Sequence, residues 1–175
     1  LFRTPGNTKS NIIDYVETQT TGNAKDFGDM VINMCNGNGF SSTIRGFFFG
    51  TGFDNPSLPI IHFINIASKG DSKDFGDSTS IRQYPGGGSS PVRGVISGGN
   101  TPTSTIRTID YVTMSSSGNA THFGDLTVAR HSPAGASSKT RTVFAGGYTD
   151  QSDSNTDVNN MDYITIASAG NATDF

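Results

Sequence analysis

The sequence predicts an all-β chain assembled from tandem four-stranded antiparallel units, and three observations carry that prediction. The first is composition. The 175 residues include 22 Gly, 21 Ser and 21 Thr, but only three Leu and one Glu. Helices draw on Leu, Glu, Ala and Lys, so an all-α fold is excluded. With 12 Phe and five Tyr the chain has too much apolar bulk to be disordered. The second observation is an internal repeat. Ile13-Asp14-Tyr15-Val16 leads to Asp26-Phe27-Gly28-Asp29, and Ile61-His62-Phe63-Ile64 to Asp74-Phe75-Gly76-Asp77. Ile109-Asp110-Tyr111-Val112 leads to His122-Phe123-Gly124-Asp125, and Met161-Asp162-Tyr163-Ile164 to Asp174-Phe175. Phe27, Phe75, Phe123 and Phe175 are spaced 48, 48 and 52 residues apart, each 12 residues after its leading aromatic. The third is a landmark of the same period. Arg45, Arg93 and Arg141 each open a short apolar run that closes on Gly50, Gly98 or Gly146.

Each element of the unit has its own signal. Thr108–Ser115 is rich in β-branched and aromatic residues and reads as a strand. Ser117-Gly118-Asn119 is a turn, because Gly and Asn tolerate positive φ. Ala120–Thr127 reads as the returning strand, and the constant 12-residue offset fixes the hairpin register. The turn recurs as Gly22-Asn23, Gly70-Asp71 and Gly170-Asn171. Ala129–Ala136 is small and Gly-bearing, which suits a strand where backbones crowd together. Asn36-Gly37-Asn38-Gly39 and Gly86-Gly87-Gly88 are its counterparts. The run from Arg141 to Gly147 does not alternate apolar with polar, as expected of a strand buried on both faces.

A unit of about 48 residues and four strands cannot cover both of its faces alone. Stacking such units around an axis covers them, which is a β-propeller. The expected count is 15 strands, three and then four in each of three further units, in a single repeat domain over 1–175. Its landmarks fall at 13–29, 61–77, 109–125 and 161–175. The chain opens inside one expected strand and stops inside another. The expectation is therefore part of a larger ring: a fragment of a longer chain, or a ring completed by further repeats or by a second copy. Open ends of such an array leave unpaired strand edges.

Arg130, Gly146-Gly147, Tyr163 and Phe175 follow the order of landmarks in a kelch-type blade, and the chain resembles kelch repeats. It departs from them in carrying Phe where kelch repeats carry Trp, and in replacing one Gly pair with Gly50-Thr51. Gly118-Asn-Ala-Thr121 followed by Phe123-Gly-Asp-Leu-Thr127 and Ala129-Arg130 further resembles kelch-like repeats of bacteriophage virion and tail proteins, over nearly the whole chain. The resemblance implies a non-enzymatic structural or adhesive module, tail-associated in a virion. Its partners would be other virion proteins or a host-surface receptor, glycan or protein. A cellular kelch-type interaction module, and a carbohydrate-active scaffold with its active site elsewhere, are the alternatives.

Several motifs point to chemistry and are better read as structure. Asp26-Phe27-Gly28 and Asp74-Phe75-Gly76 spell a kinase tripeptide, but the tripeptide follows the repeat and no phosphate loop or catalytic loop accompanies it. Gly86-Gly87-Gly88 lacks the Lys-Ser/Thr pair of a phosphate cradle. His62, His122 and His131 share no metal-ligand spacing, and Cys35 is the only cysteine. No catalytic residue, cofactor or metal is expected. Asn119-Ala-Thr121 and Asn171-Ala-Thr173 match the glycosylation sequon, but both lie in the repeated turn. The formal net charge of −3 gives no footprint for nucleic acid, and no apolar run is long enough to insert in a membrane as a helix.

Two groups remain as candidates. Asp29, Asp77 and Asp125 recur with the repeat, and Arg82 and Arg130 are one period apart, which suggests a ladder of Asp–Arg or Asp–backbone hydrogen bonds between units. The candidate binding loop holds Tyr148, Asp150, Asp153 and Asp157. Gly146 to Tyr163 spans 17 residues, where Gly50 to Phe63 and Gly98 to Tyr111 span 13, so the four extra residues fall there. Loops on a rigid scaffold are where binding concentrates.

Overall fold

A computed structural model describes residues 10–50, 58–150 and 157–175. Among them are 14 β-strands and no helix. The first sheet pairs β1 (Ser10–Tyr15) with β2 (Lys25–Met34). The second is β3 (Asn38–Ser41), β4 (Arg45–Phe49), β5 (Ile60–Asn65) and β6 (Lys73–Asp77). The third is β7 (Gly86–Ser89), β8 (Arg93–Ser97), β9 (Thr108–Thr113) and β10 (Thr121–Asp125). The fourth is β11 (Ala134–Ser137), β12 (Arg141–Ala145), β13 (Met161–Thr165) and β14 (Thr173–Asp174). Every pairing is antiparallel between neighbours in sequence. The additional strand expected at the start of the chain falls outside the described residues.

The small-residue strand is shorter than its sequence suggests. Instead of running from Ala129, it begins at Ala134, because Ser132 adopts φ 57° and Pro133 has no N–H for a ladder. Cys35 and Asn36 likewise lie before β3 rather than within it, with Asn36 at φ 55°. β2 is longer than its counterparts at 10 residues and runs on through Met30-Val31-Ile32.

Two apolar layers hold the sheets face to face. Phe40, Phe47, Phe49, Phe63 and Phe75 of the second sheet pack with Ile96, Val112 and Met114 of the third. Val95, Ile109, Phe123 and Leu126, from the third sheet and the loop after it, pack with Phe144, Ile164 and Ile166 of the fourth and its hairpin turn. Neighbouring Val95 and Ile96 thus serve opposite faces of one strand, which is why the apolar runs show no alternation. In each unit the leading aromatic meets its Phe edge to face. The centroid distances are 6.0, 5.9, 5.9 and 6.0 Å for Tyr15–Phe27, Phe63–Phe75, Tyr111–Phe123 and Tyr163–Phe175. Phe63, Tyr111 and Tyr163 also carry the guanidinium groups of Arg45, Arg93 and Arg141, at 4.8, 4.7 and 4.8 Å.

The strands β3, β7 and β11 lie side by side across successive sheets. Gly39, Gly87 and Gly135 sit at one repeat position there, and the spacing leaves no room for a side chain. A Cβ on Gly87 would stand 2.9 Å from the Gly39 carbonyl oxygen, and one on Gly135 would collide with the Gly87 carbonyl.

At the other side of the sheets, the turns at Gly70-Asp71, Gly118-Asn119 and Gly170-Asn171 each clip onto the preceding sheet. The amides of Gly70, Gly118 and Gly170 donate to the carbonyls of Phe27, Phe75 and Phe123 at 2.9, 2.8 and 2.8 Å. Two residues on, Ser72, Ala120 and Ala172 donate to Asp29, Asp77 and Asp125 at 2.8, 2.7 and 2.8 Å. The amides of those same aspartates donate to Asp71, Asn119 and Asn171 Oδ1 at 3.0, 3.0 and 3.1 Å. Gly28, Gly76 and Gly124, at φ 150°, 143° and 157°, let the turn approach this closely.

Candidate binding face

Two buried ion pairs brace the loops that follow the Gly pairs. Arg82 Nη2 lies 2.6 Å from Asp110 Oδ2, and Arg130 Nη2 lies 3.0 Å from Asp162 Oδ2, with all four side chains essentially inaccessible. Asp110 also accepts from the Thr79 amide and hydroxyl, and Asp162 from those of Thr127. Arg82 further donates through Nη1 to the carbonyls of Gly98 and Thr108, and so spans both ends of one loop. Burial pushes both guanidinium groups down from their ordinary range, and the facing aspartates push them back up.

The ladder anticipated from the sequence therefore divides in two. Arg82 and Arg130 pair with the aspartates of the Ile-Asp-Tyr and Met-Asp-Tyr motifs, not with Asp77 or Asp125. Asp29, Asp77 and Asp125 make the cross-sheet contacts through their backbone. The Asp125 carboxylate lies 3.4 Å from Arg107 Nε, a partly exposed contact.

The first copy lacks this pair. Forty-eight residues before Arg82 and Asp110 stand Met34 and His62. His62 is fully buried, and among the described residues neither ring nitrogen has a hydrogen-bond partner. Burial pushes its pKa down, partly offset by Asp74.

Above the ion pairs, the entries to the three glycine-bearing strands come together. Asn36, Tyr84 and Ser132 occupy one repeat position and all adopt left-handed backbone, at φ 55°, 54° and 57°. Non-glycine residues rarely do so, and such positions concentrate where structure serves function. They are linked in series: the Tyr84 amide donates to Asn36 O at 2.8 Å, and the Ser132 amide to Tyr84 O at 2.7 Å. The residues just before them hold the loops. Gln83 bridges Asn100, and His131 bridges Tyr148, each through a pair of backbone hydrogen bonds.

His131 is the centre of this face. Its ring stacks on Tyr148 at 5.3 Å and 22°, and lies 5.7 Å from the Tyr84 ring. Nε2 is 2.7 Å from the Asp150 carbonyl oxygen, which only accepts, so Nε2 carries the proton. In the neutral ring Nδ1 then accepts from the Ser132 hydroxyl at 3.1 Å. The imidazole thus ties the loop to the scaffold rather than offering a free base.

Of the predicted loop residues, Tyr148, Asp150 and Asp157 lie among the described residues. Tyr148 is half-buried and bridges Asp157 through its backbone, while the Asp157 side chain is exposed. Asp150 contributes its carbonyl to His131, and Asp153 lies outside the described residues. Among the described residues no three His, Cys, Asp or Glu side chains are grouped to hold a metal ion. Gly50, Gly98 and Gly146 all adopt positive φ, 89°, 58° and 64°, where their strands end and the loops begin. A separate polar recess of about 190 Å³, lined by Phe63, Lys69, Asp71 and Lys73 among others, lies at the hairpin of the second sheet.

Sequence reasoning missed His131 as a loop anchor and missed the left-handed trio. Their 48-residue spacing is present in the sequence, but Asn, Tyr and Ser share no chemical type that would flag it. No protein-family model matches the chain, and no curated protein matches it.

Proposed function

We propose that the chain is an arc of a kelch-like β-propeller that serves as a non-enzymatic recognition module in a phage virion, tail-associated, and that it engages its partner through the face around Tyr84, His131 and Tyr148. The observation that carries the reading is the repeated close contact of Gly39, Gly87 and Gly135 backbones. It draws one edge of the second, third and fourth sheets together and gathers the loops beside it into one surface. Among the described residues that surface offers aromatic rings and amides, which supports a binding role. Half-buried tyrosine rings beside amide groups suit a sugar or a polar protein surface.

The test has two arms. Antibodies to this chain should label the tail of intact particles under the electron microscope. The purified chain should bind host cells, and Tyr148→Ala should weaken that binding about ten-fold or more, a loss of roughly 1.4 kcal/mol. Unlabelled particles, or binding untouched by Tyr148→Ala, would count against the reading.

A further inference from the structure

Three side chains at the entries to the glycine-bearing strands have no bonding role in the fold. Asn36, Gln83 and Tyr84 are half-buried, and among the described residues none of their side-chain amide or hydroxyl groups is hydrogen-bonded. They stand together, since the Tyr84 amide donates to the Asn36 carbonyl at 2.8 Å and Gln83 directly precedes Tyr84. Tyr84 leads into β7, the middle strand, which has β3 on one side and β11 on the other.

The Tyr84 ring belongs to neither apolar layer, and its ring neighbour is His131, tilted by 47°. Its left-handed backbone is strained in a residue other than glycine. Asn36 and Ser132 hold the same conformation and the same backbone links with small side chains. The fold therefore does not ask for an aromatic ring at this position.

The chemistry of the trio selects a ligand. A pyranose carries C–H groups on its faces, against which an aromatic ring packs, and hydroxyls around its edge that both donate and accept. Carboxamides and the phenol hydroxyl likewise both donate and accept. The three side chains are uncharged, and the neighbouring Arg82 and Arg130 are already paired with Asp110 and Asp162.

We propose that Asn36, Gln83 and Tyr84 form a subsite for one pyranose ring of a carbohydrate, with the Tyr84 ring against its C–H face and the two amides on its hydroxyls. This rests on the reading of the surrounding face as a recognition surface, and it names the ligand class.

The purified chain should bind a member of a printed array of defined oligosaccharides. Tyr84→Gly removes the ring at a backbone angle that glycine adopts without strain, so this variant should melt no lower than the wild type while binding falls about ten-fold or more. Gln83→Ala should weaken binding at an unchanged melting temperature. Binding to no oligosaccharide, binding unchanged in both variants, or a melting temperature that falls in Tyr84→Gly would overturn the proposal. Host cells separate its failure from that of the face. Periodate, which cleaves surface sugars, should abolish binding of the chain to the cells, and protease should spare it. Binding that protease removes and periodate spares would identify a protein partner and reject the sugar alone. Cell binding untouched by both Tyr84→Gly and Tyr148→Ala would reject the face as well.

Discussion

Arg82 Nη2 and Asp110 Oδ2 stand 2.6 Å apart with neither side chain accessible, and the same two repeat positions one copy earlier hold Met34 and His62. The chain therefore contains both a charged and an uncharged solution to one packing problem. Removing one partner of a buried pair strands the other charge, whereas replacing both does not.

Asp110→Leu alone should cost about 3–5 kcal/mol in denaturant unfolding. Arg82→Met with Asp110→Leu should recover a large part of that loss, in a double-mutant cycle that departs from additivity by about 1 kcal/mol or more. Simple additivity would show that the pair is not coupled.

His62 predicts a dependence on pH. Its pKa is lowered in the folded protein by burial, so below about 6.5 the unfolded chain binds a proton that the folded chain does not. Stability is therefore full above that pH and falls as the pH drops, with a slope from this residue of up to ~1.4 kcal/mol per pH unit. His62→Leu should flatten the difference in unfolding free energy between pH 7 and pH 5. An unchanged slope would mean that His62 takes up its proton in the folded state as readily as in the unfolded one.

The clip predicts unequal costs for two residues that meet across it. Gly76→Ala places a methyl against the Gly118 carbonyl at a left-handed φ of 143°, and should cost about 2–4 kcal/mol. Asn119→Ala removes only the side-chain acceptor of the Asp77 amide and should cost about 1 kcal/mol. Thermal melts of both variants check the ranking.

Asp125→Ala should cost under about 1 kcal/mol, because its carboxylate meets only the exposed Arg107 and its cross-sheet bonds belong to the backbone. A large drop in melting temperature would restore the carboxylate as a structural link between sheets.

The contrast between Phe123 and Arg130 shows how far the sequence could be read. Phe123 recurs at a fixed offset from Tyr111, and a hairpin of constant register turns that offset into an edge-to-face contact. Its position followed from local geometry. Arg130 finds Asp162, 32 residues away, across a loop whose length varies between copies, while Asp125 lies much nearer in sequence. Proximity along the chain does not identify this partner, because the pairing depends on which face of β13 turns toward the loop. The candidate face was harder still. Asn36, Tyr84 and Ser132 share a backbone conformation and no side-chain chemistry, and His131 acts through the carbonyl of Asp150. The same motif supplied Asp29, Asp77 and Asp125 as repeated positions, yet the amide and carbonyl that use them belong to every residue type.

A density map of the assembled protein tests the account most directly. It should show sheets fanned about one axis, with the strands of Gly39, Gly87 and Gly135 innermost and the Tyr84, His131 and Tyr148 loops opening on a single end. Sheets stacked as a straight rod, or glycine strands turned toward the outside, would contradict it.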